Sequence, residues 1–265
     1  MELSFEQRKI LRQKKIYRGK IISILAPSLT ILLLLVIWEG MVVFMNIPSW
    51  KIPKPTAVFV SMVVDFKEIL PHIIRSYFII IFGFLSAVVI GITMAALLSN
   101  YKILAFALTP YINLLCTTPV ITLVPLLLLM FGFSPWVLVF AVALQAFPII
   151  VMNAVTGFLN VQIIRLELMG SLRANRIQTF FYCTLPASLP SVFTGMKLSV
   201  IFSTIACVSS EFTGGNDGLG ANIIAFSQFM RMDKAFACIF FVAIIGLIMY
   251  GLTSLLESKL VKWKI

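Results

Sequence analysis

The chain has 265 residues, 60% of them apolar and 12% charged, with a mean hydropathy of +1.05. These values exclude a soluble globular domain and fit a polytopic membrane protein. The formal net charge of +11 would also suit a nucleic-acid partner, but the topology below accounts for it without one. A span needs about 20 mostly apolar residues to cross roughly 30 Å of hydrocarbon, and a charge at its centre costs about 2.5–3.5 kcal/mol on the insertion scale. Charge-free runs therefore mark the spans. A basic segment, residues 1–20, comes first, and the apolar run 21–46 after it is broken only by Glu39. That run is long enough to be a retained span and lacks a small-residue cleavage pattern, so it is not read as a signal peptide. A second run covers 76–101. Residues 103–164 hold no charge over 62 positions, room for two spans, with Gly and Pro punctuation at 131–136. A fifth span is expected over 188–210 and a sixth over 235–256. The predicted fold is an all-α integral membrane domain of about six transmembrane helices over residues 21–257, followed by a tail, 258–265. A β-barrel is excluded because its strands are short and alternate apolar with polar residues.

With the N-terminus inside, the inner segments carry fourteen basic residues against four acidic ones, and the outer segments six against five. The positive-inside rule then puts both termini in the cytoplasm. Trp38, Trp50, Trp136 and Trp263 fall mostly near span ends, as interfacial aromatics do. Cys116, Cys183, Cys207 and Cys238 form no C-x-x-C pair and are expected to pack as small apolar residues. His72 is the only histidine; no metal site and no catalytic residue is expected.

One stretch between spans four and five, "ELMGSLRANRIQTFFYCTLPASLP" from Glu167 to Pro190, is polar and basic. Leu166, Met169 and Leu172 recur at helical spacing, followed by Ile177, Phe180 and Phe181, so an amphipathic helix over 167–182 is predicted, ended by Pro186 and Pro190. Read from periodicity alone, it is either a membrane-surface linker or a docking surface. The stretch resembles the "EAA" cytoplasmic loop of binding-protein-dependent ABC importer permeases. Glu167 matches the Glu, Leu168 and Met169 stand at the two alanines, Arg173 stands at the usual Gly, and Leu185-Pro186, Pro190 and Gly195 keep the downstream pattern. "LLLLVIWEG", "IPKPTAVF", "TPVITLVPLLLLMFG" and "EFTGGNDGLG" follow in the order seen in the nitrate/sulfonate/taurine-type subfamily. One departure is Ile79, near where span two often carries a basic residue.

The resemblance implies a type I importer permease whose loop, about 160–187, docks on a cytoplasmic ATPase through Glu167, Leu168, Met169, Arg173, Ala174, Leu185 and Pro186. It implies two ATPase subunits, a second permease copy, an extracytoplasmic solute-binding protein, and a location in the bacterial inner membrane. It implies no bound cofactor, with ATP and Mg used by the ATPase. The transported solute is expected to be a small oxyanion, sulfonate or vitamin-like heterocycle. Arg173 in place of Gly suggests either a different partner groove or a shallower seat.

Gly195, Ser199, Ser203, Ala206 and Ser210 form one small-residue stripe along span five that lets another helix approach closely. Intrachain packing, a permease dimer seam and a pathway wall all suit it. Lys197 is expected to snorkel to the interface. Glu211, with Gly218 and Gly220, is expected at an outer gate, and Glu39, the most costly charge, is a functional candidate as an intramembrane carboxylate, while the resemblance, which includes the Trp38-Glu39 pair, equally implies a shared structural role. "GGNDGLG" lacks the Lys-Ser or Lys-Thr of a phosphate loop, and the third Gly of a dinucleotide fingerprint would fall at Ile223. Any ATPase must therefore be a separate polypeptide. An ion-coupled secondary transporter is the alternative, but it would be expected to carry mid-membrane carboxylates and two related halves, and an intramembrane enzyme would need clustered polar catalytic groups.

Overall fold

The computed structural model describes residues 5–214 and 217–262, with residues 5–24 as backbone alone. Gly215, Asn216 and Trp263, named above, lie outside the described residues. Helix α1 (Phe5–Phe44) runs from the basic segment into the first apolar run without a break. Its apolar part, Leu25–Phe44, is almost wholly exposed, as a helix surrounded by lipid must be. The chain then reverses into α2 (Pro55–Val64), which starts with Pro at its first position. Glu39 caps this start from α1, its carboxylate accepting from the Thr56 backbone N–H at 3.1 Å and the Thr56 hydroxyl at 2.8 Å. An acid at a helix N-terminus is favourable, which gives Glu39 a structural role.

Helices α3 (Phe66–Asn100), α6 (Pro135–Leu159) and α9 (Leu185–Gly214) form the centre, α6 packing between the other two. Small residues set the approach. A Cβ added to Gly83 would stand 2.7 Å from the Val142 Cβ, and one on Gly91 would stand 2.8 Å from the Ile150 Cβ, so neither position has room for a side chain.

The third predicted span is two helices, α4 (Lys102–Thr117) and α5 (Val120–Phe131), bent by 100°. The cause is local. Proline disfavours the helical conformation in the residue before it, and Thr118, before Pro119, is extended at φ −79° and ψ 117°. The Val120 N–H freed by the break is taken by the Gln145 side chain of α6 at 3.0 Å. Among the described residues five helices are long and apolar enough to cross a membrane, or six if this pair counts as one span.

Beyond α6 the chain forms α7 (Ile163–Ser171), α8 (Arg176–Thr179) and a π-helical turn (Phe180–Thr184), then α9. The short α10 (Leu219–Gln228) packs on α9, α3 and the last helix, α11 (Met232–Leu260). The α2–α3 corner is pinned to α11 by Lys234, which is buried and paired with Asp65 at 2.9 Å and with Glu68. Asp65 also accepts from the Ser61 hydroxyl at 2.8 Å. Burial pushes the Asp65 carboxyl up, but Lys234 and Ser61 outweigh it and hold the group below its ordinary value. A depressed carboxylate contributes stability above its unfolded pKa, about 3.9, and loses it as pH falls through the folded value. Thermal unfolding of the detergent-solubilised protein should therefore keep the full contribution of this pair, with no pH dependence from it, between pH 8 and 5, and lose it below about pH 4, with Asp65→Asn flattening that acid limb.

Candidate functional site

The segment predicted as one helix over 167–182 is two helices joined by a tight reversal. Helix α7 stops at Ser171 because the next two peptides close on it. The Arg173 N–H donates to Gly170 O at 2.9 Å and the Ala174 N–H to Met169 O at 3.0 Å, the paired bonds of a Schellman ending. That ending needs a left-handed residue, and Arg173 supplies it at φ +54°. A Gly at this position suits the left-handed backbone conformation that Arg173 adopts here. Arg173 is itself exposed. A reciprocal capping box then starts α8: the Gln178 N–H donates to the Asn175 side chain at 2.8 Å, and the Asn175 N–H donates to the Gln178 side chain at 2.9 Å.

Neither Pro186 nor Pro190 ends the helix; the chain is helical from Arg176 to Gly214. In an α-helix the Pro186 ring would clash with the carbonyl four residues earlier. The π-turn widens the coil just before it, with the Leu185 N–H donating five residues back to Phe180 O. The second half of the polar segment is thus one continuous helix with the fifth span.

Helix α7 touches the rest of the chain mainly at the π-turn. Glu167, Leu168 and Arg173 face solvent, while Met169, Ala174, Leu185 and Pro186 are half-buried. The solvent face is unusually apolar for a polar segment: Ile163, Ile164, Leu168, Leu172 and Ile177 are all more than half exposed. Contiguous exposed apolar surface marks interaction sites. Behind it lies a cleft of about 400 Å³ lined by Asn100, Phe158, Leu166, Ala174, Arg176 and Phe180. Since the left-handed conformation costs a non-Gly residue roughly 1–2 kcal/mol, Arg173→Gly should raise the unfolding temperature slightly and keep uptake within about twofold. A several-fold loss of uptake at unchanged stability would instead give the guanidinium a contact of its own.

In span five, Gly195, Ser199, Ser203, Ala206 and Ser210 are all buried within the chain. The N-terminal half of the stripe lies against α6: a Cβ on Gly195 would stand 2.7 Å from the Asn153 Cβ, and the Ser199 hydroxyl donates to Ala146 O at 3.0 Å. Lys197 does not simply snorkel to the interface. It pairs with Glu257 of α11, because an intramembrane charge is far cheaper with a partner.

At the end of α9 away from α8, Glu211 is buried and ties three helices together. Its carboxylate accepts from the Ser76 hydroxyl of α3 at 2.7 Å and from the Gly220 N–H at the start of α10, also at 2.7 Å. Ser76 Oγ in turn accepts from the Leu219 N–H at 2.8 Å. Gly218, at φ +116°, and Gly220 press so closely on Glu211 that a Cβ on either would collide with its side chain. Sequence reasoning brought Glu211, Gly218 and Gly220 together but missed Ser76. His72, Arg75 and Ser76 share one face of α3 by their spacing, and that was the available signal. Arg75 pairs with Asp217 at 3.2 Å, and His72 Nδ1 accepts from the Gly218 N–H at 3.3 Å.

Apolar helices meet at glycine-set seams, and an exposed pair of short helices leads into one continuous span, which makes the chain a polytopic membrane bundle. The family described as binding-protein-dependent transport system inner membrane component matches residues 87–262, and the chain belongs to it, as the membrane-spanning translocation subunit of an ABC importer. Its relatives include the formylaminopyrimidine transport permease protein ThiX of Halalkalibacterium halodurans, 30% identical over 91% of this chain and 96% of that one. The putative aliphatic sulfonates transport permease protein SsuC of Bacillus subtilis is 28% identical over 87% of this chain and 84% of that one. In fold, the chain is similar to the MetNI methionine ABC transporter, with a TM-score of 0.59 at 14% identity over 70% of this chain and 94% of the other. An amino acid ABC transporter gives the same TM-score at 19% identity, covering 77% and 97%. Membership sets aside the secondary-transporter alternative and implies ATPase and binding-protein partners.

Proposed function

We propose that this chain carries a small solute, received from an extracytoplasmic binding protein, across the inner membrane, and that the segment from Glu167 to Tyr182 is its grip on a separate cytoplasmic ATPase. The observation that carries this reading is the exposed apolar face of α7, joined through the Schellman reversal and α8 to the helix that becomes span five. Closure of the ATPase would pull that helix as a rigid rod. Leu168 would seat in the ATPase groove, and Glu167 and Arg173 would meet charges at its rim. Both termini lie in the cytoplasm, following the asymmetry of Lys and Arg. Two copies of the chain pair with two ATPase subunits, and ATP and Mg are bound by the ATPase alone.

The solute belongs to the classes that the relatives' names cover: sulfonates, taurine and nitrate on one side, formylaminopyrimidine and riboflavin on the other. The test is co-purification from membranes followed by turnover assays. The permease should bring down an ATPase and show no ATP hydrolysis once that subunit is stripped away. Turnover that survives rigorous removal of every other subunit would sink the reading.

A further inference from the structure

Two cavities on the outer side meet at Arg75. One, of about 480 Å³, is lined in part by His72, Arg75, Phe78, Pro135 and Asp217. The other, of about 280 Å³, again has Arg75, Pro135 and Asp217 in its wall, with Ser134 beside them. Arg75 holds more donor capacity than the protein uses. A guanidinium has five N–H donors; the contact with Asp217 engages Nη1, while the Nε–H is buried and has no hydrogen-bond partner among the described residues. A buried donor left unmet is costly. The existing pair is also easily given up, since Asp217 is about half exposed at 54% and touches Arg75 through one oxygen; such pairs add little. His72 spends Nδ1 as an acceptor for the Gly218 N–H, which leaves the ring proton on Nε2 as a second donor in the same wall. Phe78, edge-on to Trp136 with ring centroids 5.3 Å apart, gives the cavity an apolar side. The nearby Glu211 lies within electrostatic reach of Arg75, but its hydrogen bonds go to Ser76 and Gly220.

We infer that this double cavity is an outer receiving site for a small oxyanion or sulfonate, which takes Arg75 in exchange for Asp217. Freed from Asp217, the guanidinium turns its Nε edge to the cavity and offers the paired donors that a planar or tetrahedral oxyanion accepts. The inference rests on the importer reading and deepens it. Of the two solute classes above it selects the anionic one and assigns Arg75 and His72 as its ligands, with Asp217 as the internal anion that leaves.

The test uses the full chain in phosphatidylcholine nanodiscs, with methanesulfonate and nitrate as probes against chloride at matched ionic strength. The unfolding midpoint should rise saturably by several degrees with either probe. Arg75→Gln should raise the half-saturating concentration at least tenfold, and Arg75→Lys should recover part of it. Asp217→Asn should lower that concentration at least threefold, a gain that a merely structural ion pair would not give. Recovery of the ATPase with Arg75→Gln permease should match wild type, which separates failure of this site from failure of the importer reading. Four results would each overturn the inference: no shift with any anion, an equal shift in Arg75→Gln, a shift with riboflavin alone, or a shift that needs phosphatidylglycerol in place of the free anion.

Discussion

Leu168→Asp should stop uptake almost completely while the permease still inserts and folds. Leu168 is 60% exposed on a helix that has little contact with the rest of the chain, so the substitution leaves the permease's own packing intact. Its effect falls on whatever covers that face. A seated apolar residue is commonly a hot spot worth about 2 kcal/mol or more, equivalent to roughly 30-fold in partner affinity, and a buried aspartate would exceed that. Glu167→Lys, a rim reversal, should weaken uptake less and more steeply at low salt. The measurements are solute uptake in vesicles, ATPase recovery on permease-tagged resin and the unfolding temperature of the purified permease. Ala174→Asp serves as the contrast, because Ala174 is half-buried, lines the inner cleft and closes the Schellman reversal; it should lose stability as well as uptake. If Leu168→Asp and Glu167→Lys both leave uptake and ATPase recovery intact, the segment is a passive linker and the coupling proposal fails.

Glu211→Leu should be among the most destabilising single changes in the chain. The carboxylate is 1% exposed and, besides a long contact from the Cys207 thiol at 3.6 Å, answers two strong donors, the Ser76 hydroxyl and the Gly220 N–H. Removing it strands both, at roughly 1–3 kcal/mol for each buried donor left unmet, partly offset because a buried acid no longer needs solvation. Loss of the link should free α10 from α3. The unfolding temperature in detergent should therefore fall by many degrees, and amide exchange should rise first across 219–228. Glu211→Gln keeps the shape and one good acceptor and should fall between leucine and wild type. A Glu211→Leu permease with wild-type stability and unchanged exchange in α10 would show that the carboxylate does not hold this corner.

Where the chain crosses the membrane was legible because charge is expensive in hydrocarbon, so the charge-free runs locate the long helices α3, α6, α9 and α11. The break in the third span was not read. Pro119 marks it, but Pro110, Pro125 and Pro148 sit inside helices of the same apolar region, so proline alone does not separate a kink from a break. Pro186 and Pro190 misled in the other direction, since a π-turn gives the first of them room and a sequence has no period that announces one. Arg173 was noticed as an oddity, yet its reason is a backbone angle, which composition does not carry. The partners of Glu211 were hidden by distance along the chain: Ser76 is 135 residues away, and nothing in either residue's neighbourhood names the other. The glycines at 218 and 220 were visible, and their purpose, leaving space for a carboxylate, required the fold.

The π-turn at Phe180–Thr184 has a consequence for direction. Each residue of an α-helix advances about 100° around its axis, and a turn that carries one residue more than the α-helical repeat shifts everything before it by that angle relative to everything after it. The apolar residues of α8 and the small-residue stripe of α9 thus belong to one rod with two azimuths. A pull on α8 would reach the glycine-set seam with α6 at an angle fixed by those five residues. If the coupling proposal holds, the number of residues in that one helical turn, matched to Pro186, sets which side of the bundle is pulled.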